Sequence, residues 1–220
     1  METAKLYIEH NATDADTGVH GLFGGDGWSE LCLWDPEENL VLVVGPRGQL
    51  GELTVADFFF ESREPPNDEY SIDDLLRDFP EGTYLAGGTD FEGNPLVGMA
   101  TFTHDIPARP TITSPQLGEE ENPPAVPTEG LVVAWDPVTE TVSGDPVTIT
   151  SYEVIVTKVD HEDDDGLSRP VYDVHVGPEV LALEVVAPFL EPDTVYELEV
   201  LALEESGNQT ISLGFFATEQ

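Results

Sequence analysis

The sequence predicts an all-β protein of two β-sandwich-like domains, the first carrying one short helix, and three observations carry that prediction. Apolar runs of four to eight residues, rich in Val, Leu and Phe, recur between clusters of Gly, Pro, Asp and Asn, as strands and turns require. Helical spacing appears in one place, residues 71–79. From residue 106 the text changes to Pro-rich segments bracketing short strand-like runs, which sets domains at 1–105 and 106–220. A chain of 220 residues suits two ordinary domains, and 40% hydrophobic residues suffices to build a core in each.

In the first half, Ala4-Lys-Leu-Tyr-Ile-Glu-His10 alternates as a strand and leads into the polar, glycine-rich stretch 11–28. Residues 30–34 and 40–44 read as a hairpin across Asp35-Pro-Glu-Glu-Asn39. Residues 45–51 read as a loop, and 52–61, with Phe58, Phe59 and Phe60, as a further core strand. Ser71 supplies an N-cap, Asp73 and Asp74 favour the positive helix end, and Pro80 and Gly82 stop the helix. Its apolar face is Ile72, Leu75, Leu76 and Phe79. Residues 83–86 and 96–103 form another hairpin across the Gly-rich segment 87–94.

The second half shows strand-like runs at sandwich spacing. Leu131-Val-Val-Ala-Trp135-Asp-Pro137 places a Trp in the second strand, and residues 151–156 give the third. Leu190, Pro192, Thr194, Tyr196, Leu198, Val200 and Ala202 then set a tyrosine just after a Pro turn and continue as a strict alternation. On these residues the segment 106–220 resembles a fibronectin type III module. The resemblance implies a seven-stranded sandwich, a corner hydrogen bond from Tyr196, a spacer or recognition role, and no enzyme. Fold alone assigns no function, and the chain contains no Arg-Gly-Asp tripeptide.

The first half resembles the leading module of a group of secreted bacterial proteins of unknown function. Asn11, Thr13, Asp14, Asp16, Gly18, His20 and Trp28 fall on that group's pattern, as do the stretches 58–62 and 79–83. The chain departs from it at Gly24, where the group carries an acidic residue. The resemblance implies export and no activity.

Charge narrows the partners. Forty-five acidic residues face seven basic ones, a formal net charge of −38. A phosphate backbone is bound through clustered Lys and Arg, so nucleic acid is excluded as a partner, and anionic membranes with it. The acids serve as a solvating surface for high salt, as a trap for divalent cations, or as a solubility device. Cys32 has no second cysteine with which to form an intramolecular disulfide and reads as a small hydrophobe in an apolar strand. No apolar run has the length of a transmembrane helix, and the first twenty residues lack a signal-peptide pattern. The expectation is a soluble extracellular or periplasmic protein whose leader is absent from the chain as given.

The most site-like stretch is 11–28. Calcium takes six to eight oxygens from loops that alternate carboxylates with small residues. Asn11, Asp14 and Asp16, a bend at Gly18 and a further carboxylate from Asp26 offer that alternation, so calcium is the one expected cofactor. The competing reading is an Asx-rich turn in which the carboxylates accept backbone N–H groups. His20 is a binding candidate that either orients this loop or joins Asp14 and Asp16 on zinc, with His10 across the loop. His104, His161 and His175 fall in no ligand-like spacing, and the acidic run 160–166 reads as a solvated loop with weak calcium association as its alternative.

For catalysis there is no nucleophile elbow and no phosphate-cradling glycine loop. The expected function is therefore a non-catalytic extracellular binding or structural module with a protein or cell-surface partner. The alternative is a carbohydrate-binding accessory domain or small hydrolase, with Trp28 and Trp34 as the sugar platform.

Overall fold

A computed structural model gives the structure of the protein and describes residues 1–160 and 171–220. The chain divides into two units: Met1–His10, Ala15–Asp105 and Ser206–Asn208 form the first, and Asn11–Asp14, Ile106–Glu205 and Gln209–Gln220 the second.

The first unit is organised by one long strand. β1 (Thr3–Asn11) is followed by β2 (Asp16–Trp34), which runs for 19 residues. After β2 come β3 (Leu40–Val44), α1 (Gly48–Leu53), β4 (Val55–Glu61), α2 (Ile72–Asp78), β5 (Gly82–Asp90) and β6 (Pro95–Phe102). The sheet order is β1-β2-β5-β6, with β3 and β4 also paired to β2. β2 changes partner midway: His20 to Gly24 pair with β4, and Leu31 to Trp34 pair with both β3 and β5. The change falls on a glycine run. Register shifts occur between Gly24 and Trp28 against β4 and between Trp28 and Glu30 against β5, and Gly27 sits at φ +102. Only glycine adopts that backbone without strain, so the run supplies the bulge that re-aims the strand.

A Cβ at Gly24 would lie 2.2 Å from Asp57 Oδ1, the end of an exposed side chain on the paired strand.

The core face of this unit collects Leu6, Ile8, Val19, Phe23, Trp28, Leu31, Leu33, Leu75, Tyr84, Ala86, Ala100 and Phe102, all buried. Both hairpins expected from the sequence form, and both use one device. Asp35 Oδ1 accepts the N–H groups of Glu37 and Asn39, and Asp90 Oδ1 accepts those of Glu92 and Asn94. In each, the Asn amide donates to the same carboxylate's other oxygen. These bonds hold both aspartates below the usual carboxylate range.

α2 starts as expected, with Ser71 Oγ accepting the N–H of Asp74 at 3.1 Å and Leu75 buried. The expectation of a single helix is corrected. α1 forms within the segment read as loop and strand start, although Gly48 and Gly51 lower its helix propensity and none of its residues is buried. The Phe58 to Phe60 triplet is also corrected, because a strand sends alternate residues to opposite faces. Phe58 and Phe60 turn inward, and Phe59 stands outward, 53% exposed.

The second unit is a two-sheet β-sandwich with eight described strands, one more than the fibronectin type III resemblance implies. Its strands are β7 (Ile112–Ser114), β8 (Ala125–Val126), β9 (Val132–Trp135), β10 (Ile149–Lys158), β11 (Val171–Val176), β12 (Ala182–Glu184), β13 (Val195–Glu204) and β14 (Gln209–Thr218). One sheet is ordered β12-β9-β7 and the other β11-β10-β13-β14, with β8 parallel to β14. Alternate residues of the facing strands, including Val133, Trp135, Tyr152, Val154, Val156, Tyr196, Leu198, Val200 and Phe216, make one core. Tyr196 makes the expected corner: its hydroxyl accepts the N–H of Glu191 at 2.8 Å and donates to Phe189 O at 3.4 Å. Trp135 packs on Tyr152 with ring centroids 5.4 Å apart.

Candidate functional site

The stretch 11–28 is a turn followed by the first two-thirds of β2, rather than one loop. Asn11 Oδ1 accepts the N–H groups of Thr13 and Asp14, each at 3.0 Å, and its Nδ2 donates to Asp14 Oδ2 at 2.9 Å. This is an Asx turn, and it engages both ends of the Asn11 amide. The same turn is fixed to β14 by Ala12 N–H on Ile211 O and by Leu213 N–H on the Thr13 hydroxyl. Asp16 opens β2, and its carbonyl faces His10 Nδ1 at 3.1 Å. Asp26 is exposed and lies ten residues further along the same strand. On the order of 30 Å of extended chain separates it from Asp16. Asp16 and Asp26 therefore do not converge, which corrects the expectation of four oxygens gathered from Asn11, Asp14, Asp16 and Asp26.

Trp28 is also corrected as a binding residue. It is 1% exposed, lies edge-on to Phe58 at 6.3 Å, and belongs to the core under the glycine bulge. No ligand stacks on an indole so enclosed.

His10 and His20, both on the strands flanking the turn, are buried on different terms. His10 lies on the core face. Its Nδ1 is 3.0 Å from the Thr17 hydroxyl, which itself donates to Asn67 Oδ1, so Nδ1 carries the proton. Burial lowers its pKa. His20 projects from the opposite face of β2, 4% exposed. Tyr7 covers it with ring centroids 5.3 Å apart, and Phe59 meets it edge-on at 5.8 Å.

Two carboxylates close around that imidazole. Glu64 Oε1 is 3.1 Å from Nε2, and Glu9 Oε2 is 3.8 Å from Nδ1. One ligand-type atom from each of Glu9, His20 and Glu64 lies within 4.8 Å of the others. Gly18 is what admits Glu64, since a Cβ there would lie 2.7 Å from both Cγ and Oε1 of that side chain. Burial first, and then the neighbouring charges of Glu9 and Glu61, push the Glu64 carboxyl up, against the lowering effect of its bond to His20. Arg63, the nearest cation in sequence, turns to Glu69 at 3.7 Å. Among the described residues, no Ser, Thr or Cys nucleophile is hydrogen-bonded to the His20 ring.

The sequence singles out His20, and of its two carboxylate neighbours it points to one. Alternation in β1 sets Tyr7 and Glu9 opposite the buried Leu6 and Ile8, so counting back from the turn reaches Glu9. Glu64 is 44 residues from His20 and becomes adjacent only through the β2–β4 pairing, His20 opposite Glu61.

The second half of β2 faces outward in a different way. Cys32 pairs with Val43 and Gly87, Trp34 with Leu40 and Leu85, Leu85 with Met99, and Gly87 with Val97. These residues share one face, and it is apolar from edge to edge. Exposure runs from 42% at Leu85 through 54% at Leu40 and Val43 to 69% at Met99. Trp34 is half-buried and lies over Gly87, whose hypothetical Cβ would come 2.9 Å from Cζ3. Residues 28–44 and 82–102 contain no Lys or Arg, and the bounding turns and strand ends carry Glu30, Asp35, Glu37, Glu38, Asp90 and Glu92.

In the second unit, His175 Nε2 lies 3.1 Å from Glu153 Oε1, with Asp173 nearby on the same face, but the His175 side chain is 59% exposed. His161 and the acidic run from 161 to 166 lie outside the described residues. No described helix is long and apolar enough to cross a membrane.

No protein-family model matches the chain, and no curated protein matches it. Among solved structures it is similar to a two-domain fibronectin type III segment of chicken tenascin, at 11% identity and a TM-score of 0.34. That likeness covers 98% of this chain and 99% of that one. It is also similar to a tetra-tandem repeat from the extending region of a large adhesion protein, at 12% identity and a TM-score of 0.32. There 99% of this chain is covered and 50% of the other, so this chain spans about half its length. The description of the second unit as a two-sheet sandwich rests on its own strand order and on neither likeness.

Proposed function

We propose that this chain is a non-catalytic, extracellular or periplasmic protein-binding module. Its first unit docks a partner on the outward face of β3-β2-β5-β6, and its fibronectin-like unit serves as a spacer. The single observation that carries the reading is that face: a contiguous set of Leu40, Val43, Cys32, Trp34, Leu85, Val97 and Met99, in a protein of formal net charge −38. Apolar surface of that kind, rimmed by charge, marks an interaction site. The acidic rim and the absence of Lys and Arg select a partner with an apolar patch and a basic border. A second copy is disfavoured, because two such rims repel.

A fluorescence titration of the full chain with an amphipathic Leu/Lys peptide, with oligolysine as the charge-only control, tests this. The expected result is a saturable shift in tryptophan emission that oligolysine does not reproduce and that Met99→Glu abolishes. Equal binding of oligolysine overturns the reading, as does self-association that Met99→Glu removes.

A second reading has one observation in its favour. Trp34 presents an indole beside a hollow lined by Asp35, Pro36, Glu38, Thr83 and Leu85, which is the form of a sugar platform. Quenching of the wild-type protein by soluble glycans that is lost in Trp34→Ala, with no response to the peptide, would establish the carbohydrate reading in place of the first.

A further inference from the structure

We infer that Glu9, His20 and Glu64 form a binding site for a divalent transition-metal ion of the zinc type. One imidazole nitrogen and one oxygen from each carboxylate ligate the ion, and the remaining positions are open to water or to a donor from a partner.

Four observations converge on this. First, donor chemistry: imidazole suits zinc and its neighbours, and carboxylate oxygens complete such sites at 2.0–2.2 Å from the metal. Second, spacing: with bonds of that length, tetrahedral ligands stand about 3.4 Å apart. One ligand-type atom from each of the three residues already lies within 4.8 Å of the others, so a modest closing of the two carboxylates toward one imidazole nitrogen reaches that value. Third, enclosure: His20 is 4% exposed under Tyr7 and Phe59, and Gly18 leaves open the space that lets Glu64 reach it. Fourth, charge: the half-buried Glu9 and Glu64 carboxylates both close on the His20 imidazole. Two carboxylates drawn together in that way repel, and a dication between them offsets the repulsion more effectively than a proton shared with His20.

The set differs from the Asn11, Asp14, Asp16 and Asp26 group, which offers oxygens alone and suits calcium. It also differs from Glu153, Asp173 and His175, whose imidazole is mostly in solvent. A strongly acidic surface takes up any divalent ion weakly, so the test has to separate a built site from that background.

The chelator-treated full chain is titrated with zinc chloride by calorimetry in excess magnesium, with calcium as a parallel arm. The expected result is one saturable zinc step of 1:1 stoichiometry, absent with calcium, and a rise in the melting midpoint with zinc. Glu64→Gln weakens the step by roughly tenfold or more. Glu9→Gln does the same, and His175→Ala leaves it unchanged. Because His20 is buried and its replacement disturbs the packing around it, cobalt(II) bound to the wild-type protein supplies an independent readout: the visible absorption of a low-coordinate N/O site, lost in Glu64→Gln. No zinc step above the magnesium background overturns the inference. So does a step that Glu64→Gln leaves intact, or one that only His175→Ala removes. Zinc binding and peptide docking are read on different halves of β2, so either can fail without the other.

Discussion

The two halves of β2 make opposite surfaces from one strand. From Asp16 to Gly24 the outward residues meet Tyr7, Glu9, Phe59 and Glu64, and the result is an enclosed imidazole between carboxylates. From Glu30 to Trp34 they meet Val43, Leu40, Leu85 and Gly87, and the result is an open apolar face. The strand's own residues do not decide this; the neighbours they acquire on either side of the glycine bulge do. A strand that changes partners can therefore carry two unrelated recognition surfaces, one for a small ion and one for a macromolecule, without a separate domain for each.

The two tryptophans give the largest expected contrast. Trp28 fills the core at the bulge, so Trp28→Ala should cost about 3–5 kcal/mol in denaturant unfolding. Trp34 is half-buried over Gly87, and Trp34→Ala should cost well under half of that, while removing the emission change on peptide binding. Equal losses would mean that the outward face is packed as tightly as the core.

A corresponding loss in the second unit sets the scale for a single buried hydrogen bond. Tyr196→Phe leaves the Glu191 N–H without its acceptor and should cost about 1–3 kcal/mol. Val200, on the same strand but apolar, gives a comparison free of hydrogen bonding.

Met99→Glu should change stability by no more than about 0.5 kcal/mol, since the side chain is 69% exposed. Its effect should fall on docking. A large loss of stability would show the face to be part of the fold and not a surface for a partner.

The smallest expected effect separates His10 from Glu64 by pH. Burial depresses the His10 pKa from 6.5, with the Asp16 carbonyl and carboxylate opposing. A group whose folded pKa is lowered contributes stability that is full above its unfolded pKa and is lost as pH falls through the folded one. The wild-type midpoint should thus drop below pH 6.5 relative to His10→Asn. Glu64 has the opposite sign: its raised pKa means that stability held at acid pH is lost as pH rises through the folded value. In Glu64→Gln that loss should disappear.

Much of the fold was legible because its signals are local. Ser71 caps its helix, Asp35-Pro-Glu-Glu-Asn39 turns its hairpin, and Trp135 and Tyr196 sit at the core and corner positions that their motifs imply. What the sequence hid is pairing. Residues 11–28 read as a loop because glycines and acids are rare inside strands, yet four of the five glycines there answer to a neighbour: Gly18 to Glu64, Gly21 to Phe60, Gly24 to Asp57 and Gly27 to Thr54. Leu40-Val-Leu-Val-Val44 reads as a hairpin strand, and a continuous apolar run of that kind fits a strand covered on both sides. Nothing local says that one side stays open. The candidate site shared this limit: His20 and Glu9 were within reach of counting from the turn, and Glu64 was not.

The central claim is that the second half of β2 lies at the centre of a docking face. Its most direct test is the titration of wild-type protein and Met99→Glu with the amphipathic Leu/Lys peptide, read at tryptophan emission. Saturable binding to the wild-type chain is expected, weakened by added salt at the acidic rim and absent from the variant. Binding of equal strength to both proteins would contradict it.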